Sequence, residues 1–175
     1  MKGQDVILGL LMKKSLSGYE IRDFIENRLS HFFDSSFGMI YPTLKKLEQN
    51  GLVTKKTILQ NDRPNKNIFS ITQKGKDSFL GSLQNEPKPD QLKSDYLIHF
   101  YFGEYLDKET LYVLTKKQIK QVKEKLSSLN YNLKHWQESG MTEEQKMTYD
   151  YGIKFYTGSL EILENEAEKL EKNLS

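Results

Sequence analysis

The chain has 175 residues, no cysteine, a net charge of +2 and a mean hydropathy of −0.68, enough for one domain or two small ones with a polar surface. Without cysteine there is no disulfide framework, no thiolate metal site and no cysteine nucleophile. The longest apolar run, "VILGLLM" at 6–12, is too short to span a bilayer, and the N-terminal stretch does not read as a secretory signal, so the expected location is the cytoplasm.

The first element, "QDVILGLLMKK", has Asp5 at an N-cap position and apolar residues Ile7, Leu8, Leu11 and Met12 at helical spacing. In "SLSGYEIRDFIENRL", Ser17 and Glu20 stand at capping-box spacing, and Ile21, Ile25 and Leu29 continue one buried face, so a second helix is expected over 18–29. The third helix lies in "FGMIYPTLKKLEQNGLV", 37–53, capped by Ser35 or Ser36 and stopped by Gly51. Phe37, Ile40, Leu44 and Leu47 share its inner face. Pro42, Lys45, Lys46 and Gln49 face the other way, with Tyr41 on the flank. Pro42 implies a small kink or a later helix start.

Period-two, β-branched segments follow. "LVTKKTILQ", the turn-forming "NDRPNK" and "NIFSIT" predict a β-hairpin with Arg63 and Lys66 at a basic tip. Lys55 and Lys56 point to opposite faces of its first strand. Thr72 caps a fourth helix near 73–83, and the proline-containing "QNEPKPD", 84–90, is the expected linker. Beyond it the chain predicts helices near 91–105, 107–139 and 142–173, the last capped by Thr142. Apolar stripes run through Leu111, Leu114, Ile119, Val122 and Leu126, and through Ile153, Leu160 and Leu163. Two helices this long are expected to need another helix, from a second copy of the chain, to cover both stripes.

Three helices and a hairpin are the order of a winged helix-turn-helix, in which the third helix enters the major groove and the wing lies over the backbone. The charge distribution agrees: residues 41–76 hold 8 basic and 2 acidic residues, a local net of +6. The expected architecture is mainly α with a small β-hairpin. It comprises a winged-helix domain over 1–83, the linker, and a helical dimerisation domain over 91–175. Glu48 reads as a structural partner of a nearby cation. His31, His99 and His135 show no metal-ligand spacing, and no nucleophile elbow, P-loop or paired-carboxylate motif is present.

"GYEIRDFI", "SFGMIYPTLKKLEQNGLV" and "RPNKNIFSITQKG" together resemble the PadR family of bacterial transcriptional regulators. Gly18, Tyr19, Glu20 and Ile21 match its first motif. Gly38, Ile40, Tyr41, Pro42, Leu44, Leu47, Glu48, Gly51, Leu52 and Val53 match its second, and Arg63, Ile71, Thr72 and Gly75 its third. Asp62 stands where the wing glycine is usual and Phe69 replaces a tyrosine. The stretch from 95 to 114 is similar to the helical C-terminal domain of the family's longer members. The resemblance implies a homodimeric regulator of double-stranded DNA, expected to be a repressor on a palindromic operator, without a cofactor or enzymatic activity. Tyr19, Ser36, Tyr41, Pro42, Lys45, Lys46, Gln49, Arg63 and Lys66 form the expected DNA-facing set. It also implies response to a small, often aromatic effector. The aromatic stretch 96–105 is read first as core and dimer packing, with Tyr96, Phe100 and Trp136 as the candidate pocket wall. The alternative is an adaptor that holds another protein through the same surfaces.

Overall fold

The computed structural model describes residues 1–33, 39–59 and 65–174. They form two compact units, Met1–Asp90 and Gln91–Ser175.

In the first unit, α1 spans Gly3–Leu10 and buries Ile7 and Leu8. Asp5 is the third helical residue rather than the expected cap: its carboxylate accepts the backbone N–H of Lys2 at 2.8 Å. A carboxylate there serves an otherwise unpaired N–H and favours the positive end of the helix, so the helix starts earlier. A two-residue strand, β1 (Leu16–Ser17), leads into α2 (Gly18–Phe24). The expected capping box is present: the Glu20 N–H donates to Ser17 Oγ at 3.2 Å and the Ser17 N–H donates to Glu20 Oε2 at 2.8 Å. The helix reaches Leu29 as foreseen, but its last turn, Ile25–Leu29, is π-helical.

The third helix, α3, spans Ile40–Gln49. Pro42 therefore occupies its third position, where a backbone N–H has no partner within the helix, so the missing donor costs nothing. The caps expected at Ser35 or Ser36, and Phe37, lie outside the described residues. At the other end Gly51 adopts φ +68°. Its N–H donates to Glu48 O at 2.9 Å and that of Leu52 to Leu47 O at 2.9 Å, the paired closure that a left-handed residue permits.

Strands β2 (Val53–Ile58) and β3 (Lys66–Ile71) form the expected antiparallel hairpin, and β1 adds a third strand on the far side of β3. Two residues are too few for a strand to show alternation, which is why β1 was not foreseen. Lys66 lies in β3 opposite Ile58, so it is not part of the tip. Helix α4 (Gln73–Leu83) is capped by Thr72, whose hydroxyl accepts the Gly75 N–H at 3.0 Å. Ile7, Leu8, Leu11, Leu16, Ile21, Ile25, Ile40, Leu44, Leu47, Val53 and Phe69 make the core of this unit.

The second unit contains α5 (Asp95–Tyr101), a 3-10 turn (Gly103–Tyr105), α6 (Lys108–Glu138) and α7 (Glu143–Lys172). The expected helix over 91–105 is thus shorter, starting from Ser94 as its cap. Gly140, at φ +85°, turns the chain between α6 and α7. These two helices bury each other's main stripes. On α6 the stripe runs Leu111, Thr115, Ile119, Val122, Leu126 and Leu129; on α7 it runs Tyr149, Gly152, Tyr156, Leu160, Leu163, Ala167 and Leu170. Leu111, Ile119, Val122 and Leu163 are therefore buried within one chain, and Leu114, Leu126, Ile153 and Leu160 are half-buried. The apolar side chains left at the surface are others, including Tyr151, Phe155 and Ile162 on one face of α7.

Leu44 is 1% exposed, so Leu44→Ala is expected to cost roughly 2–5 kcal/mol of stability. Two glycines of α4 should part company. A Cβ on Gly75 would stand 2.1 Å from Leu52 O, whereas one on Gly81 meets nothing within 4 Å. Gly75→Ala should lose about 1–3 kcal/mol through forced displacement, and Gly81→Ala should gain roughly 0.5–1 kcal/mol from helix propensity. Urea unfolding of the three variants checks all of this.

Candidate nucleic-acid interface

Helix α3 sorts its residues as an amphipathic helix must. Ile40, Leu44 and Leu47 are buried, and Tyr41, Pro42, Lys45, Lys46 and Gln49 are exposed. Beside it, α3 and the hairpin enclose a groove of about 340 Å³ lined by Tyr41, Lys45, Glu48, Gln49, Lys55, Asn67 and Phe69. The groove's carboxylate, Glu48, meets Lys55 Nζ at 3.4 Å. That pairing fits the expected structural role of Glu48 and offsets the negative charge on a surface that otherwise carries donors. Lys55 and Phe69 share a cross-strand position, which brings this lysine to the α3 side; Lys56, opposite Ile68, belongs to the other face.

A second cluster joins α2 to the hairpin. Glu20 Oε2 accepts from the Ser17 backbone N–H at 2.8 Å and from Ser17 Oγ at 2.6 Å, and lies 3.4 Å from Lys66 Nζ. Lys66 thus braces β3 against the start of α2. The Ser17 hydroxyl and then the Ser17 backbone N–H hold the Glu20 carboxyl below its usual pKa, with Lys66 adding its charge. The sequence shows Ser17 and Glu20 as a cap but gives no sign of Lys66, because that contact depends on strand register. Arg22, also absent from the expected set, donates from Nε to Glu26 Oε1 at 2.8 Å on the same exposed helix as Tyr19.

Of the expected DNA-facing residues, Tyr19, Tyr41, Pro42, Lys45, Lys46, Gln49 and Lys66 are at the surface of the first unit; Ser36 and Arg63 lie outside the described residues. The expected pocket residues divide. Tyr96 and Phe100 rings stand 5.7 Å apart, and Tyr96 Oη is 3.1 Å from Thr115 Oγ1. Burial pushes the Tyr96 hydroxyl pKa up, so the phenol stays protonated at neutral pH. Trp136 is 21 residues beyond Thr115 on the same helix, a separation of about 31 Å at 1.5 Å per residue. One chain therefore does not bring Trp136 to the Tyr96–Phe100 pair. Among the described residues no cluster of three or more His, Asp or Glu could hold a metal, and no helix is long and apolar enough to cross a membrane.

The depressed Glu20 pKa has a signed consequence. The folded chain holds this proton more weakly than the unfolded chain, so the stabilisation is complete above the ordinary glutamate pKa and fades as pH falls through the folded value. Glu20→Gln keeps the cap but removes the charge. Its stability should therefore fall less than that of the parent chain between pH 5 and the folded-state pKa, as read by urea midpoints across that range.

A model of the transcriptional regulator PadR-like family matches residues 7–80. The negative transcriptional regulator PadR of Bacillus subtilis is 34% identical over 124 residues, which cover 70% of this chain and 68% of that one. A PadR-like transcriptional regulator of Bacillus cereus has a crystal structure with a TM-score of 0.89 and 38% identity, covering 98% and 99% of the two chains. A Streptococcus mutans protein of known structure gives 0.91 and 43%, covering 95% and 98%. Bacillus subtilis PadR has been solved with operator DNA (TM-score 0.80, 26% identity, 95% and 96% covered) and with p-coumaric acid (0.73, 25%, 96% and 98%). With helices α1–α4 and a three-stranded sheet in its first unit and long helices in its second, the chain belongs to the PadR family of transcriptional regulators.

Proposed function

We propose that this chain is a homodimeric, cytoplasmic DNA-binding repressor without enzymatic activity, released from a palindromic operator by a small aromatic effector. The observation that carries the reading is the outer face of α3, where Tyr41, Lys45, Lys46 and Gln49 are exposed directly behind a buried Ile40–Leu44–Leu47 face. A helix that offers donors and keeps its one carboxylate paired suits the major groove, with lysines on phosphates and Gln49 able to address a base edge. That the Bacillus subtilis relative forms a complex with operator DNA supports binding to an operator, and its p-coumaric acid complex supports release by an aromatic acid. In this chain Tyr96, Phe100 and Thr115 are the remaining candidates for one wall of such an effector site.

Dimerisation completes the reading, because two winged helices related by a two-fold axis match a palindrome. The stripes that α6 and α7 bury against each other are spent within one chain. The second stripe of α7, Tyr151, Phe155 and Ile162, is the better candidate for the contact with a second copy.

Fluorescence anisotropy on DNA from upstream of the chain's own gene tests the reading. Binding should survive competitor DNA and weaken steeply with salt. Lys45→Ala should lower the salt slope by about one unit, the loss of one phosphate contact. Gln49→Ala should narrow the gap between operator and unrelated DNA. An adaptor would show no binding that survives competitor. In sedimentation, the full chain should run as a dimer and Phe155→Glu should shift it towards monomer.

A further inference from the structure

The ring of Tyr41 does not extend freely from α3. A Cβ placed on Gly18 would stand 2.6 Å from Tyr41 Cε1, 3.1 Å from Cζ and 3.2 Å from Oη. The ring edge and the hydroxyl therefore lie against the bare backbone at the first residue of α2. Gly18 is buried, while Tyr41 remains 62% exposed. Gly18 does not adopt a positive φ, so its backbone does not require glycine. What requires glycine is the space that the Tyr41 ring occupies.

This seat fixes where the phenol goes. Resting on α2, it stands on the side of the surface that carries Tyr19 and, one turn further along α2, Arg22. The guanidinium of Arg22 is held by Glu26, and both tyrosine side chains lie within its electrostatic reach. Tyr19 is itself 72% exposed. Two phenols and a guanidinium offer hydrogen-bond donors to an anion, and donors of this kind suit a phosphate oxygen better than a base edge deep in a groove.

Resting on the DNA-binding reading above, we propose that Gly18 is a positioning residue: by lacking a Cβ it seats Tyr41 on α2, where the Tyr41 hydroxyl serves a backbone phosphate rather than a base. The seat divides the labour on α3. Its first turn, through Tyr41, joins the lysines in docking the helix on the backbone, and Gln49 is left to read sequence.

The test is a double-mutant cycle in the full chain, with wild type, Gly18→Ala, Tyr41→Ala and the double variant measured for operator and unrelated DNA at one salt concentration. Gly18→Ala should keep the thermal midpoint, since alanine is at home in the first turn of a helix and the displaced ring is exposed. It should still weaken both DNAs by similar factors of about tenfold, the worth of one hydrogen bond to a charged group. Tyr41→Ala should do the same, and the double variant should be no weaker than either single one. Tyr41→Phe, which keeps the ring and loses the hydroxyl, should match Tyr41→Ala. Additive losses, a Gly18→Ala variant that binds like wild type, or a loss confined to the operator would each overturn the inference. NMR of the free protein judges the seat without altering Gly18. The Gly18 Hα resonances should carry a ring-current displacement that Tyr41→Leu abolishes; unchanged shifts would overturn it. A wild-type chain that bound no DNA would overturn the proposed function instead, and the ring-current result would still decide whether the seat exists.

Discussion

The first unit turns on the carbonyl oxygen of Leu52. It accepts the Thr72 N–H at 3.0 Å and the Thr72 hydroxyl at 3.1 Å, and the neighbouring Gly51 carbonyl takes the same hydroxyl at 2.8 Å. Here the end of α3, the start of β2, the end of β3 and the cap of α4 meet within two peptide units. Gly51 supplies the left-handed turn that lets α3 stop, and Gly75 supplies the missing side chain that lets α4 approach. The register of β2 against β3 places Lys55 over Glu48, and the pairing of β1 with β3 brings Lys66 beside Glu20.

The second unit solves a different problem. Two helices of about thirty residues have more apolar surface than one stripe each. Their contact consumes the stripes centred on Ile119, Val122, Leu163 and Ala167. What remains outside is aromatic and aliphatic, and it is dispersed along both helices. Thr115 sits in the buried stripe, fully enclosed, with its hydroxyl donating to Leu111 O at 2.8 Å and meeting Tyr96 Oη at 3.1 Å. The polar group is thereby satisfied, and it ties α5 to α6.

The local part of this structure was legible in the sequence. Caps at Ser17, Thr72 and Thr142, the stop at Gly51 and the inner face of α3 all follow from residue chemistry over a few positions, and each is present. What escaped depends on partners distant along the chain. β1 is too short to alternate. The π-helical end of α2 has no marker residue. Thr115 breaks the apolar pattern of α6, so the expected stripe ran through Leu114, which is half-buried, and left out Thr115, which is fully buried. On the candidate interface, Tyr41, Lys45 and Gln49 were found from helical spacing and charge. Gly18 was visible only as a motif residue, since its use lies in the atom it lacks opposite a ring twenty-three positions away.

One oxygen atom, Glu20 Oε2, serves three donors: the Ser17 amide, the Ser17 hydroxyl and the Lys66 ammonium. Sequence drift at these three positions is consequently coupled. An aspartate at position 20 is one methylene shorter between the cap and the strand, and a neutral residue at position 66 takes the ammonium away from the carboxylate. Each substitution changes the worth of the other two, so the path between this arrangement and any alternative passes through compensating pairs. Relatives that have abandoned one member should be found to have replaced another.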